Sequence, residues 1–200
     1  MNLASEIRQT IGDVRAAGGR VKSVALMRTD EGLRPSIVAD CPDAASLLRV
    51  LVTQVKRCSE HPSIRDFARR VREKYPAPGA FGEQVHAWVQ NTVEFQREPF
   101  EAFQKGPHTL KVGAGDCDCQ VILAGGVAKA GGLGVRVVPF WLAPDDPRHV
   151  CCQFQHEGGG PWHWAETTIP ARYGEDPFAA AKRLQVKGRE DIRGRNPQGP

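Results

Sequence analysis

The chain opens with apolar residues at Leu3, Ile7, Ile11 and Val14. Spacings of three and four put them on one face of a helix, which Ala16-Ala-Gly-Gly ends. Residues 21–28 and 35–39 then predict two strands, joined by a turn at Asp30-Glu-Gly-Leu. Asp43 is placed to cap a helix over 44–56, with Leu47, Leu48, Val50, Leu51 and Val55 as its bulky positions. Another helix starts at Ser63 behind Pro62, with Ile64, Phe67, Ala68, Val71 and Tyr75 on one side, and Pro76-Ala-Pro-Gly breaks it. Residues 81–95 predict a third, striped by Val85, Trp88, Val89 and Val93. The stretch 96–113 carries two prolines, two glycines and little periodicity, and reads as a long loop.

The second half is patterned differently. Gly113-Ala-Gly-Asp-Cys-Asp-Cys-Gln reads as a helix start, Val121-Ile-Leu-Ala-Gly-Gly-Val-Ala-Lys-Ala as a mostly apolar body, and Gly131-Gly as the stop. Gly125 and Gly126 should each cost about 1 kcal/mol against Ala inside a helix. Close approach of another backbone is the compensation expected, which makes this helix central and buried. Residues 135–142, 149–156 and 162–169 predict strands, with a turn at Asp145-Asp-Pro and a link at Glu157-Gly-Gly-Gly-Pro. A short helix over 178–184 and a charged, fraying tail from Lys187 follow. No internal repeat is apparent. The order helix, strand, strand, strand predicts an α+β fold in which the cysteine-bearing helix packs on an antiparallel sheet. The domain reading is an extension over 1–60, a core over 61–178, and a C-terminal helix and tail over 179–200.

Composition narrows the function classes. Two hundred residues, 40% hydrophobic and 25% charged, suit one folded domain with at most a small appendage and exclude a wholly disordered chain. The net charge of +4 is too weak to imply nucleic acid without a basic stripe. Arg65, Arg69, Arg70, Arg72 and Lys74 crowd one helix and read as a solvated face. Residues 121–133, broken by Lys129 and glycines, are too short to cross a membrane. The first residues show no secretory pattern, so a cytoplasmic protein is expected. The six cysteines, Cys41, Cys58, Cys117, Cys119, Cys151 and Cys152, are then expected as free thiols. Phosphate-loop, dinucleotide and Gly-x-Ser-x-Gly motifs are absent.

Candidate chemistry centres on Cys117. It begins the buried helix, where the helix amino terminus favours a thiolate, and the preceding glycines let a substrate carbonyl approach. His149 is the candidate general base and Glu166 the candidate acid that orients it. Strand alternation puts Val150, Cys152 and Phe154 in the core and His149 with Cys151 and Gln153 on the other face. Cys151 therefore borders the site, as does Trp164, which shares the parity of Glu166. Asp116 reads as the helix N-cap, while Asp118 adds negative charge beside the thiol and opposes its ionisation. His156 and His163 read as surface residues and the tryptophans as packing. Structural zinc is the rival use of the cysteines, but Cys-x-Cys on a helix separates its sulfurs by about 200° and Cys151 and Cys152 point to opposite faces of a strand. A structural metal is therefore not expected.

Several stretches together resemble the transglutaminase-like superfamily of papain-fold cysteine enzymes. They are Val85-His-Ala-Trp-Val-Gln-Asn-Thr-Val-Glu-Phe, Gly106-Pro-His-Thr-Leu-Lys-Val-Gly-Ala-Gly-Asp-Cys, Gly132-Leu-Gly-Val, His149-Val and Trp164-Ala-Glu-Thr-Thr. The likeness spans about residues 63 to 170 and is greatest to versions carried by bacteriophages and related bacterial elements. It implies a papain-like α+β core and a Cys-His-Asp type triad, with Cys117, His149 and Glu166 at the three positions. The family usually continues Cys-Asp-Asp, where this chain has Cys119, and usually ends the triad with Asp, where it has Glu166. The activity implied is hydrolysis or acyl transfer on peptide or carboxamide bonds through an acyl-thioester, with a protein or peptide substrate and no cofactor. The alternative is a catalytically silent binding module of a phage virion or tail assembly, partnered by phage structural proteins.

Overall fold

The described residues of the computed structural model are 3–29, 32–40, 44–96, 102–140, 149–156 and 158–185. Helix α1 (Leu3–Ala16) ends near Gly18, which takes φ +86°. Strands β1 (Arg20–Thr29) and β2 (Gly32–Asp40) pair antiparallel, and helix α2 (Ala44–Glu60) follows. Cys41 and the Asp43 cap lie outside the described residues, as do the 145–147 turn and the tail. Helices α3 (Pro62–Lys74) and α4 (Pro78–Thr92) both carry proline in the first turn, where its missing N–H costs nothing. The Pro-Ala-Pro-Gly break thus ends one helix and starts the next.

Two expectations fail between residues 93 and 113. The helix predicted to Phe95 stops at Thr92, and Glu94–Phe95 is a short strand, β3. The predicted loop contains a strand, β4 (Ala102–Phe103), which extends the β1–β2 sheet, and a helix, α5 (Gly106–Val112). Seven residues make under two turns, too few to display a periodicity. The glycines and proline that suggested a loop are instead the helix's punctuation: proline in its first turn and Gly113 in the left-handed region at φ +69° after its last. Strand β5 (Ala114–Gly115) then pairs in parallel with β3.

Helix α6 (Cys117–Ala130) is buried from Cys117 to Ala128, as its composition predicted. It packs against α2, α3, α4 and α5, and against strands β6 (Gly134–Phe140) and β7 (His149–Gln155). Its paired glycines make room for a close approach, but the nearest atoms are side-chain sulfurs rather than the backbone expected. A Cβ on Gly126 would lie 2.3 Å from Cys58 Sγ of α2, and one on Gly125 would lie 3.2 Å from Cys152 Sγ of β7. Val50, Leu51, Val55 and Cys58 of α2 share one core with α6 and with Val150, Cys152 and Phe154.

Strand β8 (Trp162–Ala165) completes an antiparallel sheet in the order β6-β7-β8. Alternation predicted one buried face for β7, yet residues 149 to 154 are all buried. As the middle strand it is covered on both faces, which erases the inside–outside contrast. The last strand ends at Ala165 rather than 169, so Glu166 leaves the ladder instead of continuing it. Helix α7 (Pro177–Arg183), capped by Asp176, packs Ala180 and Ala181 against Ile169 and Ala171. Among the described residues no helix is long and apolar enough to cross a membrane.

Candidate active site

Helix α6 starts where the sequence predicted. Asp116 is its N-cap, accepting from the Cys119 backbone N–H at 3.1 Å. Cys117 is therefore the first helical residue, next to the unpaired-dipole end that favours negative charge. Its side chain is buried, and its thiol donates to Asp118 Oδ1 at 3.7 Å. Asp118 is buried as well. Gly115 is required just ahead of this start, because a Cβ there would lie 2.5 Å from Cys119 Cβ. Gln120, one turn into the helix and buried, donates from Nε2 to the Gly115 carbonyl at 3.4 Å.

His149 opens β7. The β7–β8 register pairs Cys152 with Ala165. One step further along, Glu166 falls across from Cys151, a single pleat from His149. The two side chains meet: His149 Nε2 lies 2.8 Å from Glu166 Oε2, with exposures of 5% and 0%. The other carboxylate oxygen, Oε1, accepts from the Thr168 backbone N–H at 2.7 Å and from the Thr168 hydroxyl at 2.6 Å. Burial works against ionising Glu166, but the charge and hydrogen bond of His149, with the two Thr168 donors, outweigh it and hold the carboxyl below its ordinary value.

Two residues of α4 hold the chain that carries Glu166. His86 Nε2 donates to the Glu166 carbonyl at 2.7 Å, and Gln90 Nε2 faces the carbonyls of Glu166, Ile169 and Ala171 at 3.2, 2.7 and 3.0 Å. Burial pushes the His86 imidazole below its ordinary value, so near neutral pH it serves as an uncharged donor. Sequence reasoning missed this clamp and gave Thr168 no role. The available signal was a polar pair, His86 and Gln90, four apart beside the apolar stripe of α4.

The other residues expected at the site are placed as follows. Cys151 is buried on the row of His149, and burial drives its thiol well above the ordinary value. Cys152, on the opposite row, donates to the Val121 carbonyl at 3.5 Å and so ties β7 to α6, the helix Cys117 opens. Burial raises its thiol too, and raises that of Cys58 to about 12. Trp164 is half-buried, across the ladder from Gln153 and so on the row of His149. The five described cysteines are free thiols. His156 and His163, expected at the surface, are half-buried in a stack instead. Their rings lie 4.3 Å apart, and His163 lies 5.6 Å from Tyr173.

No family model matches the chain, and no curated protein does. Among solved structures, it is similar to a candidate protease from Parabacteroides distasonis, with a TM-score of 0.50 and 12% identity over 76% of this chain and 32% of that one. It is also similar to a candidate cysteine protease from Cytophaga hutchinsonii, with a TM-score of 0.45 and 19% identity over 58% of this chain and 41% of that one. The matched part is thus under half the length of either neighbour. The first likeness is one of fold: mixed helices with small sheets.

Proposed function

We propose that the chain is a cysteine hydrolase or acyltransferase with a papain-like, transglutaminase-like core, acting on a peptide or carboxamide carbonyl through Cys117, His149 and Glu166. The observation that carries this reading is the buried His149–Glu166 pair at 2.8 Å, in a sheet packed on the helix that Cys117 opens. A carboxylate only accepts, so His149 Nε2 carries the hydrogen and Nδ1 is left as the nitrogen to receive a proton. In this reading Nδ1 takes the Cys117 proton and the thiolate attacks the carbonyl carbon. Backbone N–H groups at the start of α6 hold the oxyanion. The intermediate collapses to an acyl-thioester, and the leaving amine takes the proton from the imidazolium. Water or a second amine, deprotonated by His149, then attacks the thioester, and the released thiol regains its proton. Glu166 keeps the imidazole oriented throughout and steadies its positive charge.

The test is the pH dependence of thiol alkylation, with the modified residue mapped by peptide mass spectrometry. Burial keeps Cys58, Cys151 and Cys152 sluggish, and the peptide map separates Cys117 from Cys41 and Cys119. Cys117 should react rapidly near neutral pH. Cys117→Ala should remove that phase without unfolding the chain, and His149→Ala should slow it by roughly tenfold or more. Slow alkylation of Cys117 at every pH below the ordinary thiol range, about 8.5, would refute the reading.

A second reading has one observation behind it. Asp118 accepts from the Cys117 thiol, and a thiolate there would face a carboxylate at 3.7 Å. That arrangement suits a silent binding module, for which the sequence resemblance suggests phage structural proteins as partners. Rapid Cys117 alkylation near neutral pH in the wild-type chain favours the enzyme reading; slow alkylation that Asp118→Asn quickens severalfold favours the module, because the carboxylate was then what kept the thiol protonated.

A further inference from the structure

We propose that Thr168 is a positioning residue of the His149–Glu166 pair, its single hydroxyl fixing both the carboxylate and the protonated nitrogen of the imidazole. This rests on the function proposed above for its purpose, though not for its geometry. The hydroxyl oxygen lies 2.6 Å from Glu166 Oε1 and 3.2 Å from His149 Nε2. An ionised carboxylate has no hydrogen to give, so the hydroxyl donates to Oε1. Its only hydrogen is then committed, and toward Nε2 it can act only as acceptor. The hydroxyl is therefore compatible with a hydrogen on Nε2 and opposes the tautomer that lacks one. Glu166 Oε2, at 2.8 Å, makes the same demand from the other side. Two acceptors thus hold the Nε2–H, and the ring's proton exchange is confined to Nδ1.

The backbone around Thr168 is anchored independently of its side chain. Gln90 holds the carbonyls of Glu166, Ile169 and Ala171, and His86 holds that of Glu166. The Thr168 backbone N–H itself donates to Glu166 Oε1 at 2.7 Å and survives any side-chain change except proline. Thr168→Val therefore removes the hydroxyl while keeping the shape, the branched rotamer preference and the backbone bond.

The experiment is nitrogen-15 NMR of the histidine side chains in the full chain. It is run in alkaline buffer, where neutral imidazole tautomers are read, and His149→Gln identifies the resonance. The wild-type protein should show one Nε2–H tautomer with a slowly exchanging imidazole proton. Thr168→Val should mix in the Nδ1–H tautomer and speed exchange of the Nε2 proton by roughly tenfold or more, since one of its two acceptors is gone. Thr168→Ser should restore the wild-type pattern. A wild-type pattern in Thr168→Val, or a serine variant that behaves like valine, overturns the proposal. If circular dichroism shows Thr168→Val unfolded, Thr168→Ala against Thr168→Ser reads the same hydroxyl. The alkylation assay separates the two claims. Fast Cys117 alkylation with a tautomer indifferent to residue 168 keeps the enzyme and removes Thr168 from it. A tautomer that follows the hydroxyl, with Cys117 inert, keeps the positioning role and removes the enzyme.

Discussion

His149 meets Glu166 at 2.8 Å with exposures of 5% and 0%, whereas on α3 Arg69 meets Asp66 at 2.7 Å and Glu73 at 2.6 Å with exposures between 45% and 61%. The separations are nearly the same and the physics is not. On α3, water solvates every charge whether or not it is paired, and ordering three long side chains offsets most of the attraction. Around Glu166 no water can replace a lost partner. Each oxygen is met by protein donors, and removing any group leaves another stranded. Distance alone therefore says little about which ion pairs matter here. Burial and the completeness of the donor set say more.

The largest break in that contrast should come from Glu166→Leu. It strands the His149 Nε2–H and both Thr168 donors, and it should cost about 3–5 kcal/mol in urea denaturation. A loss below about 1 kcal/mol would mean that water reaches the pair after all. A neutral control for burial is Gly126→Ala. Its new Cβ meets Cys58 Sγ at 2.3 Å, so crowding should outweigh the gain in helix propensity and destabilise by about 1–3 kcal/mol. A double-mutant cycle with Cys58→Ala should show strong coupling between the two positions.

Acid sharpens the comparison further. The folded state holds the Glu166 carboxyl below its ordinary 4.5, so the unfolded chain binds its proton first as pH falls. The pair's contribution is present above that ordinary value and is lost as pH drops through the depressed folded one. Stability measured against pH should therefore fall on the acid side, and Glu166→Gln should flatten that limb. The smallest effect belongs to the α3 ladder. Arg69→Ala should leave the denaturation midpoint unchanged within error, and added salt should leave it so. A shift in that variant approaching that of Glu166→Leu would end the contrast.

Much of the scaffold was legible in the chain. Asp116 capped the helix it was expected to cap, and Gly125 and Gly126 proved to be the places where Cys152 and Cys58 press in. The cap was legible because it acts within a few residues, and the glycines because a missing Cβ in an apolar helix marks a close approach without naming its partner. Helix α5 was illegible because seven residues hold too little periodicity, and the Glu94–Phe95 pairing with Ala114–Gly115 because two-residue strands have none. The burial of both faces of β7 depended on what packed there, which alternation along one strand cannot report.

The sequence by itself determined where α6 begins, that its body is buried, and that a cysteine stands at its first position with a histidine and an acid downstream. Local rules suffice for these, since a helix start and an apolar run are written in neighbouring residues. The sequence nominated Glu166 to orient His149, but only the tertiary structure decided that they meet at 2.8 Å, that Thr168 would touch both, and that His86 and Gln90, some eighty residues earlier, would hold the same turn. Hydrogen-bond partners so far apart in the chain are chosen by how helices and strands stack, and nothing in the spacing of either partner specifies the other.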